Sequence, residues 1–377
     1  MPAVARRADR SLRRLRRRGP DHAYEWSVAI AQGGKAGAGP PVSSALVERM
    51  AMTMHVTVVR PDELGPSEEK LWREFQNSYQ MGAHANYSLT YVRAACRADG
   101  NGRVAVAEDG GVIRAFLPYT KGNDGMATVL GGGQTGVDGV ISSNDPVDLR
   151  RVVRRAGLRG WRFSHAPAGQ AAVDPYRYQG SYHSAEVHVV DLRNDFDDYM
   201  NSLPKRRRRR QALERELGDV RLEWNSGEPA NRDLLLKWKA AQFEYVRQWL
   251  SSPSSRPMVE ELAASDNEDC SGITSVLYAG TKPVAICLHL RAGDLVAGWM
   301  TGYDPEYSRF CPGALLQVAY LEEASRRGVG LVDFSYGDDK HKREFANASY
   351  RVNGGAVWAR RLESAARSVY RRTRFRD

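Results

Sequence analysis

One pattern of secondary structure occurs twice in this chain of 377 residues, and it constrains the fold more than any other feature. Residues 103–132 and 275–304 each contain three apolar runs of strand character joined by short turns. The first turn is Asp109-Gly110-Gly111 in one copy and Gly280-Thr281-Lys282 in the other. A helical pattern and another strand follow in both copies. The repeat predicts two duplicated α+β units, each a central mixed β-sheet flanked by helices.

Apolar periodicity assigns the other elements of the two units. In the first unit it predicts helices over 66–80 and 146–156 and strands over 104–108, 112–119, 126–130 and 161–165. In the second unit it predicts strands over 186–191, 220–224, 274–279, 283–291, 295–303, 330–336 and 348–358. The helices of the second unit are predicted over 196–217, with a break near Pro204, and over 231–250 and 313–327.

These patterns predict four segments along the chain. Residues 1–53 are rich in Arg and Gly and cannot bury enough apolar surface to offset their ordering entropy, so we expect a disordered leader. Methionines just before the first strand-like run suggest that the native protein starts at one of them. We expect an N-terminal unit over 54–185, a C-terminal unit over 186–359 and a basic tail over 360–377.

The net charge of +10 is concentrated in short segments. Residues 1–53 carry +6, the run 205–210 carries +6 and the tail 360–377 carries +5, which leaves −7 for the rest of the chain. A mildly acidic body does not fit a protein-wide basic face for nucleic acid. The run at 205–210 lies in a helical pattern, where it either binds an anion such as a phosphate or is simply solvated.

Several classes of protein are excluded by what the sequence lacks. No run approaches the ~18 apolar residues of a membrane-spanning helix, and the Arg-rich start has too short an apolar stretch for a signal peptide. The four cysteines are widely spaced, and no histidine motif suggests a metal site. We therefore expect a cytoplasmic protein without a bound metal.

Two further patterns favour structural roles. Residues 131–136 match GxGxxG after a strand, but the residues that follow are typical of a loop, not of the helix that would hold a dinucleotide. Cys287 and His289 alternate on one face of a predicted strand, which favours core packing over catalysis.

The start of the helix predicted at 313–327 is a candidate anion site. A strand ends at Tyr303, Asp304-Pro305 makes a turn, and Cys311-Pro312-Gly313 leads into the helix. The free N–H groups and the dipole at such a start suit a pyrophosphate, and glycine allows close approach of the backbone. An ordinary capped helix explains the same residues equally well.

The strand at 331–334 and the residues after it carry several chemically active side chains. The segment places Asp333, Asp339, His341 and Lys342 near one end of the predicted sheet. Carboxylates, an imidazole and an ammonium that converge there can supply acid–base and oxyanion functions. The aspartates can equally cap the turn that follows.

Four segments in order resemble a known family: WKAAQF (238–243), SVLYAGTKPVAICLHLRAG (275–293), GWMTGYDPEYSRFCPGALL (298–316) and LVDFSYGDDKHKREFAN (331–347). They resemble the GNAT-like acetyltransferases of the CelD/BcsL type, which are linked to cellulose or exopolysaccharide biosynthesis. That family is related to the Fem aminoacyltransferases, which are tandem GNAT folds. The resemblance runs from about residue 60 to residue 358 and implies tandem GNAT-like units, of which 186–359 is catalytic.

The resemblance implies acyl transfer from acetyl-CoA or another acyl-CoA to an amine or hydroxyl, with a sugar or polysaccharide precursor among the possible acceptors. It implies that the donor lies along the 295–303 strand and at the next helix. Its residues here are Trp299, Tyr303, Cys311, Pro312, Gly313 and Ala314. The family usually has serine where this chain has Cys311, and the Arg/Gln-x-x-Gly-x-Gly/Ala pyrophosphate loop of simple GNAT enzymes is absent.

The resemblance also implies roles for residues of the acceptor side. Lys342 or N–H groups of a strand would stabilise the oxyanion, and His341, Asp333 or Asp339 would take the proton; the family usually has tyrosine where this chain has His341. The residues implied in substrate binding are Trp238, Gln242, Arg206 and Arg210. Two alternatives stay open: a Fem-like ligase that uses aminoacyl-tRNA, and a non-catalytic module that binds an anionic polymer through its basic segments.

Overall fold

The computed structural model describes residues 54–78, 83–131, 134–143, 147–168, 183–193, 195–203, 207–337 and 339–360. The predicted leader at 1–53 and all but the first residue of the predicted tail lie outside these ranges, as does Arg206. Within them, helices pack against one large mixed sheet, so the prediction of an α+β fold is confirmed.

Fourteen strands of the described residues form this sheet. They are β1 (His55–Val59), β2 (Gly102–Asp109), β3 (Val112–Lys121), β4 (Met126–Thr128), β5 (Ile141–Ser142), β6 (Gly160–Pro167), β7 (His183–Asp191), β8 (Val220–Glu223), β9 (Asp266–Asn267), β10 (Cys270–Ala279), β11 (Lys282–Ala292), β12 (Leu295–Tyr303), β13 (Leu331–Tyr336) and β14 (Ala348–Trp358). Their order is β1-β2-β3-β4-β6-β14-β7-β13-β12-β11-β10-β8, with β5 beside β3 and β9 beside β10.

The last strand, β14, joins the two halves of the sheet. It pairs antiparallel with β6 on one side, where Val357 faces Trp161, and with β7 on the other, where Tyr350 faces Val187. The sheet is therefore continuous from β1 to β8. The division into units at residues 185 and 186 stays a prediction.

The ten α-helices of the described residues cover both faces of the sheet. They are α1 (Pro66–Asn77), α2 (Leu89–Asp99), α3 (Leu149–Arg155), α4 (Phe196–Ser202), α5 (Arg207–Leu217), α6 (Pro229–Gln242), α7 (Glu244–Leu250), α8 (Ser255–Ala263), α9 (Pro312–Arg326) and α10 (Lys340–Phe345). Within the described ranges, none of the helices combines the length and apolar character that crossing a bilayer requires.

Three features of the helices differ from or refine the predictions. The prediction of one continuous helix over 231–250 is wrong. Phe243 has an extended backbone (φ −136°, ψ 118°) and separates α6 from α7. Its carbonyl accepts the N–H groups of Val246 and Arg247, so the chain bends without losing its hydrogen bonds. The break predicted near Pro204 is confirmed by the separate helices α4 and α5. Helices α2 and α8 were not predicted.

Helices α6 and α9 lie on opposite faces of the strands β10, β11 and β12. Leu235 of α6 packs with Ile286 and Leu288 of β11. Leu316 of α9 packs instead with Cys287, the residue between them on β11. Because successive side chains of a strand point to opposite faces, the two helices sandwich the sheet between them.

Gly272 on β10 marks a close approach of the end of α8 to the sheet. A Cβ atom there would lie 2.3 Å from the carbonyl oxygen of Leu262 and 2.6 Å from that of Ala263. We expect Gly272→Ala to lower the free energy of unfolding by about 1–3 kcal/mol, since the backbone of α8 must move. Chemical denaturation followed by circular dichroism measures this. Gly227→Ala, where a Cβ meets open space, is the control and should change stability by less than ~0.5 kcal/mol.

Candidate active site

The two parallel strands β12 and β13 pair for only three residues each and then separate. Leu295 faces Leu331, Val296 faces Val332, and Ala297 faces Asp333. After Ala297 and Asp333 the two strands no longer pair, so an opening in the sheet lies between their C-terminal parts. In the first half, β4 and β6 form a similar short parallel pair. The opening between β12 and β13 gives a ligand access to backbone groups that a sheet normally pairs.

One side of this opening is the start of α9. Cys311 adopts the left-handed conformation (φ 54°, ψ 55°), and its carbonyl accepts the N–H groups of Ala314 and Leu315. Pro312 is the first helical residue. A Cβ on Gly313 would contact only Tyr303, at 3.6 Å, so the surface there is open. The structure thus brings together five of the six predicted donor residues.

Trp299, the sixth predicted donor residue, is separated from the other five. The pairing of β11 with β12 shifts between Leu288 and His289, which leaves Trp299 as the extra residue of a β-bulge. Its ring packs on the face of the sheet that carries α6, whereas Tyr303 packs on the face that carries α9. The indole Nε1–H donates to the carbonyl of Gln134, 2.9 Å away, in a loop of the first half.

Asp333 is buried at the point where β12 and β13 separate. Its Oδ1 accepts the backbone N–H of Ser335 at 2.5 Å, and its Oδ2 accepts the hydroxyl of Tyr350 at 2.7 Å. His84 Nε2 lies 3.7 Å from the same Oδ2. The sequence predicted Asp333 as a proton acceptor, but a carboxylate that is 1 % exposed and already holds these donors does not reach a substrate. We correct its role to positioning.

His84 belongs to the first half of the chain and was not predicted as a site residue. Its Nδ1 accepts the backbone N–H of Asn86, 3.2 Å away, which leaves the proton on Nε2 and directs it at Asp333. Burial lowers the pKa of His84 more than the neighbouring Asp333 raises it, so the ring stays neutral. No periodicity or spacing in the sequence indicates this contact, because it joins residues far apart in the chain.

Ser335 carries the local strain of the site. It is a non-glycine residue with φ 62°, and Asp333 holds its backbone N–H in that conformation. The bend presents two successive carbonyls to one ammonium: Lys342 Nζ donates to Tyr336 O at 2.5 Å and to Ser335 O at 3.4 Å. Burial lowers the pKa of Lys342 against the opposing effects of Asp339 and Asp333. Asp333 thus fixes the position of Lys342 through the bend at Ser335.

The first half also supplies a wall of the opening. A Cβ on Gly136 would lie 3.2 Å from Asn86 Oδ1 and 3.5 Å from Ser335 Oγ, so a larger residue would require the Asn86 side chain to shift. The ring of His165 stacks on that of Tyr336 at 3.5 Å between centroids. Gly136, the last residue of the run at 131–136 that matches GxGxxG, thus packs the two halves together.

Asp138 lies next to that wall. Its Oδ2 accepts the backbone N–H groups of Ser164 and His165 at 2.8 and 3.0 Å. Burial nevertheless raises the pKa of this carboxyl to about 7, because the desolvation of the charge outweighs both hydrogen bonds.

Of the remaining predicted site residues, two lie beside Lys342 and two lie elsewhere. His341 and Asp339 are exposed near Lys342, and Asp339 Oδ2 lies 3.8 Å from Lys342 Nζ. Trp238 is buried in the core under α6, so the structure corrects its predicted substrate contact to packing. Arg210 binds Glu214 and the carbonyl of Val220, both at 2.8 Å, which makes it an anchor of α5 to β8.

Cys287 and His289 are core residues, as predicted. Cys287 Sγ lies 3.5 Å from His289 Nδ1, and both side chains are buried against Tyr320 of α9. Burial lowers the pKa of His289 to about 3 and raises that of Cys287 to about 12, so both are neutral. Among the residues described, no group of His, Cys, Asp and Glu side chains has the arrangement of a metal site.

Residues 204–343 match the family described as acetyltransferase (GNAT) domain. The match runs from before α5 to Lys342 and Arg343, and so includes β12, the start of α9 and β13. No curated protein matches the chain. The predicted GNAT-type acetyltransferase domain is confirmed, whereas the CelD/BcsL type stays a prediction.

Two solved structures align with most of the chain. FemX is 9 % identical, covers 82 % of this chain and 99 % of its own, and has a TM-score of 0.51. A tandem GNAT protein from the clavulanic acid biosynthesis pathway is 13 % identical, covers 81 % and 99 %, and has a TM-score of 0.48. The likeness to FemX shows a shared fold, so the predicted Fem-like α+β architecture is confirmed.

Proposed function

We propose that this chain is an acyltransferase that moves an acetyl or longer acyl group from acyl-CoA to an amine or hydroxyl, with a saccharide as the acceptor class that the sequence resemblance favours. One observation carries the proposal. The opening between β12 and β13 has the start of α9 on one face and the ammonium of Lys342 at its end. A thioester that lay in the opening would have its phosphates at the helix start.

The transfer is a direct displacement. The acceptor nitrogen or oxygen bonds to the thioester carbonyl carbon, the carbon–sulfur bond breaks, and the acceptor proton ends on the thiol of CoA. Lys342, oriented by the carbonyls of Ser335 and Tyr336, is the donor for the oxyanion of the tetrahedral intermediate. His341 and Asp339, exposed beside Lys342, are the side chains proposed to carry the proton.

The donor site is tested by calorimetry with acetyl-CoA. We expect the wild-type chain to bind acetyl-CoA and Gly313→Val to bind it at least about tenfold more weakly, because the new side chain fills open surface at the start of α9. Gly227→Val, in open space elsewhere, is the matched control and should bind normally. Failure of the wild-type chain to bind any CoA thioester would contradict the proposal.

A Fem-like ligase that uses aminoacyl-tRNA is the second candidate, and the surface of α5 favours it. Arg207, Arg208 and Arg209 are exposed on this helix. RNA bound through them should dissociate steeply as salt rises, and the triple alanine variant should lose both the binding and much of the salt dependence. RNA binding together with aminoacyl transfer supports the ligase, and RNA binding without any transfer supports a non-catalytic anion-binding module.

A further inference from the structure

The last turn of α6 presents polar donors that the fold leaves unused. Lys239 and Gln242 are three residues apart and therefore share one face of the helix. Lys239 Nζ lies 4.5 Å from the ring centroid of Phe243. The Nε2 atom of Gln242 is buried and has no hydrogen-bond partner among the described residues. Buried amide donors are rarely left without an acceptor, so this one indicates a ligand.

The positive charge of Lys239 is only partly compensated. Lys239 faces a second ammonium, Lys342, while the carboxylate that faces both, Asp339, has a side chain that is 73 % exposed. Burial and the charge of Lys342 together lower the pKa of Lys239 to about 8. The nearby hydroxyls of Tyr245 and Tyr336 stay neutral, since burial raises the pKa of each. Asp333 acts on Lys342, so the exposed Asp339 is the carboxylate that compensates Lys239.

The last turn of α6 and the proposed site of the acyl-CoA phosphates lie on different faces of the sheet. Helix α6 packs on the face of β11 opposite to α9, as the alternation of Ile286 and Cys287 shows. The start of α9 is the proposed place of the donor phosphates. A group held by the end of α6 therefore approaches the opening from the other face.

We propose that Lys239 and Gln242 bind an anionic group, a phosphate or a carboxylate, carried by the acyl acceptor. The ammonium and the amide donate to its oxygens, and Lys342 adds a second positive charge while its own hydrogen bonds keep it at the reaction centre. The assignment of this anion to the acyl acceptor rests on the proposed acyltransferase function, whereas the anion site rests on the placement and charges of Lys239, Gln242 and Lys342. The acceptor is thus an acidic molecule, such as a phosphorylated or carboxylated sugar.

The site is tested by calorimetry of the full chain with inorganic phosphate and with acetate, at pH 7. We expect one of the two anions to bind and Lys239→Met to weaken that binding about tenfold or more. Lys237→Met, on the exposed face of the same helix, is the control and should bind as the wild type does. Binding should weaken above pH 8, where Lys239 loses its proton. Preference for phosphate or acetate identifies the acidic group.

Gln242→Leu separates a ligand site from a structural one. Removal of a buried amide without a partner should leave the denaturation midpoint unchanged or raise it, while anion binding falls. If Gln242 has a structural role instead, the denaturation midpoint should fall and anion binding should stay unchanged. Equal anion affinity in the wild type and Lys239→Met, or no binding by the wild type, overturns the inference. Acetyl-CoA binding in the same instrument tests the donor site independently, so failure of one does not imply failure of the other.

Discussion

Lys342→Ala is expected to lower kcat by roughly 10²–10³-fold, the usual effect of removing one donor from an oxyanion site. The ammonium is fixed by two backbone carbonyls and lies at the end of the opening between β12 and β13. Such a donor stabilises the tetrahedral intermediate more than the ground state, so KM for acetyl-CoA should change little. Release of free thiol from acetyl-CoA, in the presence of acceptors that support wild-type turnover, measures both constants.

Lys340→Ala is the matched control for this variant. It removes the same charge from the same short helix, but its side chain is 85 % exposed and points to solvent, where it pairs with Glu344 at 3.8 Å. We expect it to retain nearly full activity, since exposed ion pairs contribute little. If Lys342→Ala keeps more than about a tenth of wild-type kcat, a backbone amide and not this ammonium holds the oxyanion.

Much of the fold was readable from the sequence because the signals are local. Apolar strands with short glycine turns recur twice, and this pattern predicted the two meanders β2–β4 and β10–β12. The helix start at Cys311-Pro312-Gly313 was likewise predictable from the proline and the glycine. These residues act on their own neighbours, so periodicity and turn chemistry are sufficient to find them.

The features that could not be predicted from the sequence depend on contacts between segments that are far apart in the chain. Helix α2 buries Tyr91, Val92 and Cys96 in a core cluster that also contains residues of α8 and β10 in the second half. Trp299, which the resemblance implied as a donor residue beside Tyr303, lies on the other face because a single bulge residue reverses the alternation of a strand. His84 reaches Asp333 only after the two halves pack together.

Asp333→Ala is expected to lower the free energy of unfolding by roughly 3–5 kcal/mol, because two donors lose a charged acceptor together. They are the N–H of Ser335 and the hydroxyl of Tyr350, and the ring of the buried His84 loses the carboxylate 3.7 Å from its Nε2. Urea denaturation measures the loss as a lower midpoint. Asp333→Asn keeps one carbonyl oxygen in place and should lose clearly less. If the two variants have equal midpoints, the hydrogen bonds to the carboxylate do not stabilise the fold.

A second substitution distinguishes the positioning role of Asp333 from its effect on stability. Ser335 is held at φ 62° by Asp333, a conformation that costs a non-glycine residue about 1–3 kcal/mol and costs glycine very little. Ser335→Gly in the Asp333→Ala background should therefore restore the bend that presents two carbonyls to Lys342. We expect kcat to recover by about tenfold or more, although the hydrogen bonds that Asp333 accepts are not replaced. A purely structural Asp333 predicts no recovery of kcat, since glycine replaces none of the lost hydrogen bonds. Recovery of activity without recovery of stability would thus show that the carboxylate acts on the reaction through the backbone of Ser335.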